Sequence, residues 1–180
     1  MDVWEVVDAA KTKPFGFISF YPGPGLGGHC IPIDPFYLSW KAKQTGFEPR
    51  LIELAGHVNS SVPHVVVERI ADALNSCRKA LNGSRILIAG IAYKRDIDDI
   101  RESPVLDVMG LLHRKGRCVS YTDSFVPRLR ARDCGGHDLD SVSPAQAAVA
   151  DCVAILTDHQ HSTTRRCPSW CRSSSTPGML

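Results

Sequence analysis

Four glycines fall within six positions, Gly23 to Gly28, in the run Tyr21-Pro-Gly-Pro-Gly-Leu-Gly-Gly-His-Cys-Ile-Pro-Ile-Asp-Pro35. A loop of that kind reaches positive φ without strain, and its N–H groups can approach an anionic ligand closely. Cys30 follows at once. Asp34-Pro35 reads as an N-cap and a proline at the first helical position, so a helix is expected from Pro35 to near Gly46. Its positive end would point back at Cys30 and favour a thiolate over a thiol. A cysteine alone is more often a small buried hydrophobe. The glycines, the His29-Cys30 pair and the capped helix together turn the reading towards a nucleophile beside an anion-binding loop.

Several elements must position that loop. Val3, Val6, Val7 and Ala10 share a helical face, so residues 1 to 13 read as the end of a helix, with a preceding portion expected. Asn59-Ser60-Ser61 offers N-caps for a long helix whose stripe Val66, Ile70, Leu74, Cys77 and Leu81 ends at Asn82-Gly83. That stripe is ordinary packing. From Ser84 the pattern becomes strand, helix, strand, helix, strand: residues 85–89, a helix capped by Ser103-Pro104 and ending at Lys115-Gly116, residues 118–122, a short helix over 144–150, and residues 152–156. This is the signature of a parallel sheet with covering helices, whose ligands lie at the carboxyl ends of the strands. Gly90 to Lys94, Asp123 and Thr157-Asp158-His159 all fall there.

Gly-Gly-His-Cys-Ile-Pro-Ile-Asp-Pro resembles the active-site loop of the UDP-glucose/GDP-mannose dehydrogenase family. The residues flanking Cys30 look most like the branch that oxidises UDP-N-acetylhexosamines. Ala89-Gly-Ile-Ala-Tyr-Lys-Arg-Asp-Ile-Asp-Asp-Ile-Arg-Glu-Ser-Pro104 is similar to the segment that opens the family's nucleotide-sugar-binding domain. The resemblance covers roughly residues 1 to 159. It implies an enzyme that takes a C6 alcohol to a carboxylate with NAD, through a thiohemiacetal and a thioester on cysteine.

By motif position Cys30 matches the nucleophile, and Asp34 matches the aspartate that positions or deprotonates water, a role compatible with capping. Tyr21, Gly25, Gly27, Gly28 and His29 would line the sugar-nucleotide pocket, with His29 supporting rather than acting as a base. Lys94 matches the lysine that contacts the UDP-sugar, Tyr93 an aromatic contact, and Arg101 an arginine at the edge of the cofactor cleft.

The resemblance further implies an α/β chain in three parts. Residues 1–83 would be the end of a central helical domain, 84–159 a Rossmann-like UDP-sugar-binding domain, and 160–180 an aberrant, disordered tail. No Gly-x-Gly-x-x-Gly follows a strand, so no NAD site of the usual sort is read; the resemblance implies that NAD would be bound mainly by a domain outside this chain, which alone would be inactive. The full-length enzyme would be a homodimer or higher oligomer. A second reading is a non-catalytic nucleotide-sugar-binding or interaction module, and UDP-glucose is an alternative substrate.

Composition restricts the remaining classes. At 180 residues, 43% hydrophobic and 22% charged, the chain is long enough to bury a core. A net charge of +2 without a basic run argues against nucleic acid. No stretch of 18 apolar residues spans a membrane, and no signal peptide is read at Met1-Asp2-Val3-Trp4-Glu5. Seven irregularly spaced cysteines suit a reducing cytoplasm better than a disulfide framework.

Asp96, Asp98 and Asp99 are interleaved with Lys94, Arg95 and Arg101, so ion pairs are expected there rather than a metal. His159, His161, Cys167 and Cys171 are zinc-ligand types at a spacing that fits no familiar finger. Val-Val-Asp-Thr-Arg codons, expected in the family's final strand, encode Ser-Ser-Thr-Pro when read one base later, and Ser174-Ser175-Thr176-Pro177 stands in the tail. A reading-frame shift after about His159 is therefore expected.

Overall fold

A computed structural model of the chain describes residues 1–116, 118–130 and 138–160. The tail, with its frame reading and with His161, Cys167 and Cys171, lies outside the described residues. Three helices come first: α1 (Val3–Lys11), α2 (Asp34–Lys43) and α3 (Arg50–Ser76). The sheet region follows, with β1 (Arg85–Ala89), α4 (Pro104–Arg114), β2 (Cys118–Thr122), β3 (Arg128–Leu129), β4 (Leu139–Asp140), a 3-10 turn at Pro144–Ala148, and β5 (Cys152–Ile155).

The main sheet has the order β2-β1-β5 and is parallel throughout. Arg85 pairs with Cys118 and Ile86 with Cys152. Central β1 buries its last four residues, which is why it reads as an unbroken apolar run rather than an alternation. α3 and α4 pack side by side against the sheet, α3 over β5 and α4 over β2. Val66, Ile70 and Leu74 of α3 meet Val105, Val108 and Leu112 of α4 in one core. Ser103 caps α4 through Val105 N–H, as expected.

Three expectations are corrected. α3 starts at Arg50, not at Asn59-Ser60-Ser61, and it continues through Pro63. Proline can stand within a helix at the loss of one bond, here the one its N–H would have made to the Asn59 carbonyl. α3 also ends earlier than Asn82-Gly83. Arg78 adopts φ +58, while Arg78 N–H reaches the Asn75 carbonyl and Lys79 N–H the Leu74 carbonyl. That pair of bonds closes the helix in a Schellman motif, which leaves Cys77 exposed and Leu81 beyond the end. Thirdly, Asp34 does not cap α2: it is the first helical residue, Ile33 holds the cap position, and no side chain caps the helix.

The helical region is joined by polar pins rather than by a core. Ser39, the buried residue of α2, donates its hydroxyl to Glu53 of α3 at 2.8 Å, and Lys43 forms an ion pair with the same carboxylate. The Phe36 ring lies against Gly56, where any Cβ would run into it.

Candidate active site

The glycine loop is bound at three points by residues far away in sequence. Asn59, in the middle of α3, accepts a hydrogen bond from Leu26 N–H at 2.7 Å and donates to the Leu26 carbonyl at 3.3 Å. Gly28 N–H donates to the Arg101 carbonyl at 3.0 Å. Gly27 and Gly28 rest on Tyr93: a Cβ at Gly27 would fall 2.5 Å from the Tyr93 Cβ and 2.7 Å from the Glu102 carbonyl oxygen. Gly28 has φ +83 and is buried, and its Cβ would lie 2.9 Å from the Tyr93 ring. Only glycine permits this approach, so the two sequence motifs form one surface.

Cys30 leaves that contact exposed. Its carbonyl accepts N–H bonds from Ile33 (3.1 Å) and Asp34 (2.8 Å), the turn that starts α2. Cys30 thus sits one turn ahead of the helix whose positive end was expected to face it. Asp34 is exposed and caps nothing, so its carboxylate is not committed to the helix.

Arg101 grips Asp99 through its Nε (3.0 Å) and one terminal nitrogen (2.6 Å), which raises its pKa, with Tyr93 and Cys30 adding smaller contributions. The same fork, and to a lesser degree His29, holds Asp99 below the usual carboxylate range. Cys30 and Tyr93 are thus within electrostatic reach of Arg101, and His29 of Asp99. Lys94 is exposed beside Tyr93.

Tyr21 stands apart from this group. Its ring stacks on Trp4 with centroids 5.5 Å apart, and its hydroxyl donates to Asp8 at 2.6 Å, so it belongs with α1. Gly25, at φ +129, lies against Pro104 and Asn59 rather than Tyr93.

The strand ends behind the motif are pinned by a buried network that sequence reasoning did not resolve into contacts. Asp123 accepts Ile91 N–H at 2.8 Å and pairs with the His159 Nε2 at 3.1 Å. His159 is buried, and its Nδ1 accepts Asp96 N–H at 2.9 Å, which places the ring proton on Nε2. Asp96 itself has φ +61, a costly conformation for a residue with a Cβ. Gln160 N–H to its carboxylate, at 2.8 Å, helps hold it there. Thr157 and Ser103 hydroxyls donate to the Ala92 and Ile91 carbonyls. The backbone that carries Tyr93 and Lys94 is thus fastened from both neighbouring strands. His159 is engaged in this network, and among the described residues no group of three or more His, Cys, Asp or Glu could hold an ion.

Gly90, after β1, has φ +79, and a Cβ there would run into the Thr157 carbonyl, so the segment after β5 packs directly on the end of β1. Arg101 is the candidate contact for NAD, and its guanidinium is already forked onto Asp99. An apolar hollow of about 460 Å³ beside α2, lined by Pro32, Ile33, Phe36, Tyr37 and Trp40, offers no cation for a diphosphate. Among the described residues no helix is long and apolar enough to cross a membrane.

Two family profiles match the chain. The UDP-glucose/GDP-mannose dehydrogenase family, central domain, covers residues 1–61, and the same family's UDP binding domain covers 87–172, past His159. An NDP-N-acetyl-D-galactosaminuronic acid dehydrogenase from Ralstonia solanacearum is 33% identical over 89% of this chain and 36% of its own length. A UDP-N-acetyl-D-mannosamine dehydrogenase from Salmonella typhimurium is 36% identical over 88% of this chain and 38% of its own. Among solved structures, a UDP-D-ManNAc dehydrogenase from Pyrococcus horikoshii superposes with a TM-score of 0.71 at 27% identity, over 89% of this chain and 35% of that one. A UDP-glucose dehydrogenase from Pyrobaculum islandicum gives 0.75 at 26%, over 88% and 36%. The chain spans little more than a third of the length of these relatives. With both profiles matched in order and the two motifs brought onto one surface, the chain belongs to the UDP-glucose/GDP-mannose dehydrogenase family.

Proposed function

We propose that this chain is the cysteine-bearing, UDP-sugar-binding part of an NAD-dependent nucleotide-sugar 6-dehydrogenase that acts on a UDP-N-acetylhexosamine. The observation that carries the reading is the seat of Gly27 and Gly28 on Tyr93, which joins the loop that bears Cys30 to the segment that bears Lys94. Matches to relatives that act on N-acetylated sugar nucleotides support the branch.

In this reading Lys94 neutralises diphosphate charge, Tyr93 supplies an aromatic contact, and the glycine loop lines the sugar end of the pocket, its close approach allowed by the missing side chains. Cys30 adds as thiolate to the C6 aldehyde formed by the first oxidation, giving a thiohemiacetal that keeps a reactive carbonyl bound. Loss of a second hydride and a proton leaves a thioester. Water oriented by Asp34 then hydrolyses it to the carboxylate and returns the thiolate. NAD would accept both hydrides, held mainly by residues outside this chain. Residues 1–83 would close the central domain and 84–159 would form the nucleotide-sugar-binding domain. The whole enzyme would be a homodimer or higher oligomer, and a reducing cytoplasm would keep Cys30 a thiol.

Calorimetry with UDP, UDP-glucose and UDP-N-acetylglucosamine tests the binding half. The expected order has UDP-N-acetylglucosamine tightest, and absence of all three would overturn the reading. Alkylation tests the nucleophile: a bound UDP-sugar should protect Cys30 and leave Cys77 and Cys118 reacting as before. Binding without protection would point instead to a non-catalytic module.

A further inference from the structure

The residue expected to cap a helix does something else. Asn59 lies one turn before Pro63, within α3, and its amide pairs with both the N–H and the carbonyl of Leu26. That is the pattern one strand offers another, here supplied by a single side chain across 33 residues of sequence. Leu26 precedes the two glycines seated on Tyr93, and Cys30 lies just beyond them. Gly25, on the other side of Leu26, has φ +129 and a hypothetical Cβ 3.5 Å from the Asn59 Oδ1, so this amide also limits where the loop can go.

We infer that Asn59 is a positioning residue for the Cys30 loop. It fixes the distance of the thiol from the Tyr93-Lys94 surface without touching the reacting atoms. The inference rests on the proposed UDP-sugar site for its functional consequence, but not for its structural one. Because the thiol must reach the sugar carbon, the loop serves the sugar end of the ligand. Loss of Asn59 should then weaken a sugar nucleotide and spare the bare nucleotide.

Asn59 is half exposed and lies before the buried stripe of α3, so Asn59→Ala is expected to fold with unchanged thermal unfolding. Amide hydrogen exchange is the first measurement. In Asn59→Ala, Leu26 should exchange faster through loss of its own bond. Gly28, which bonds to Arg101 rather than Asn59, should also exchange about tenfold faster, the equivalent of roughly one net hydrogen bond. Unchanged protection at Gly28 would overturn the inference, because Asn59 would then hold Leu26 alone.

Calorimetry on the same variant should give UDP-N-acetylglucosamine about tenfold weaker with UDP unchanged. Equal weakening of both would also overturn the inference. Asn59→Asp, which keeps an oxygen for Leu26 N–H but no donor for its carbonyl, should recover part of the Gly28 protection. If the wild-type chain bound neither nucleotide, the site reading would fall, and the exchange data would still decide what Asn59 does.

Discussion

The helical half and the sheet half of this chain are stabilised by different means. In α1 no residue is buried, and α2 buries only Ser39. Leu51 of α3 is 81% exposed and Trp40 of α2 is 63% exposed. From Val66 onward the chain packs a continuous core in which Ile88, Val108, Met109 and Leu112 are fully buried. The helical half holds its shape by single polar contacts: Ser39 to Glu53, Tyr21 to Asp8, Asn59 to Leu26. Net contributions of about 1 kcal/mol each place geometry well and add little to folding free energy. The sheet half is the platform, and the cysteine loop is a fitting clipped to it.

The largest effect expected from this contrast is in unfolding. Ile88→Ala removes a fully buried side chain from central β1 and should cost about 2–5 kcal/mol in urea denaturation. Leu54→Ala, of similar chemistry on α3 at 58% exposure, should stay within about 0.5 kcal/mol. Comparable losses at the two positions would mean that the helical half carries a core of its own, and the division would be wrong.

A second substitution bears on the joint between the halves. Gly27→Ala puts a Cβ against the Tyr93 Cβ and the Glu102 carbonyl, where backbone cannot yield cheaply. Overpacking of this kind costs about 1–3 kcal/mol. The loop can escape by lifting off Tyr93, so the cost should appear as at least tenfold weaker UDP-sugar binding rather than as unfolding. A variant that bound normally would show that the seat is not needed. One that unfolded like Ile88→Ala would show that the loop belongs to the platform.

The same contrast decides what could be read from the sequence. β1 and β2 were legible to the residue, because Ile86 to Ala89 and Val119 to Tyr121 satisfy a buried parallel sheet and little else. The Schellman end of α3 was not, since Arg78 at φ +58 carries none of the glycine signal that marks such ends. The first turns of α3 escaped because their apolar residues face outward and no side chain caps them. The two-residue strands β3 and β4 are too short to carry a period. The Cys30 loop and the Tyr93 segment were singled out as motifs, and the contact between them follows from Gly27 and Gly28 seated on Tyr93. The pairing of Asn59 with Leu26 and of Tyr21 with Trp4 and Asp8 was not read for one reason: these are contacts distant in sequence that no local pattern announces.

The smallest expected effect separates the halves electrostatically. Asp151, before β5, accepts Arg85 N–H at 2.8 Å and the Lys79 ammonium at 2.6 Å, and these hold its pKa at about 2. A carboxylate depressed in the folded state contributes stability above its unfolded pKa, near 3.9, and loses it as pH falls towards 2. The stability difference between wild type and Asp151→Asn should therefore be full above about pH 5 and close towards pH 2. Glu53 in the helical half is also depressed, first by Lys43 and then by Ser39, so Glu53→Gln should behave in the same direction. Salt distinguishes the two. The leading cause at Asp151 is a backbone N–H, which ions do not compete away, whereas at Glu53 it is an exposed ammonium. In about 1 M salt, where the screening length is roughly 3 Å, the Asp151 difference should survive and the Glu53 difference should largely vanish. If both collapsed together, the sheet end would be held by surface charge like the helices, and the clip-and-platform division would not extend to its electrostatics.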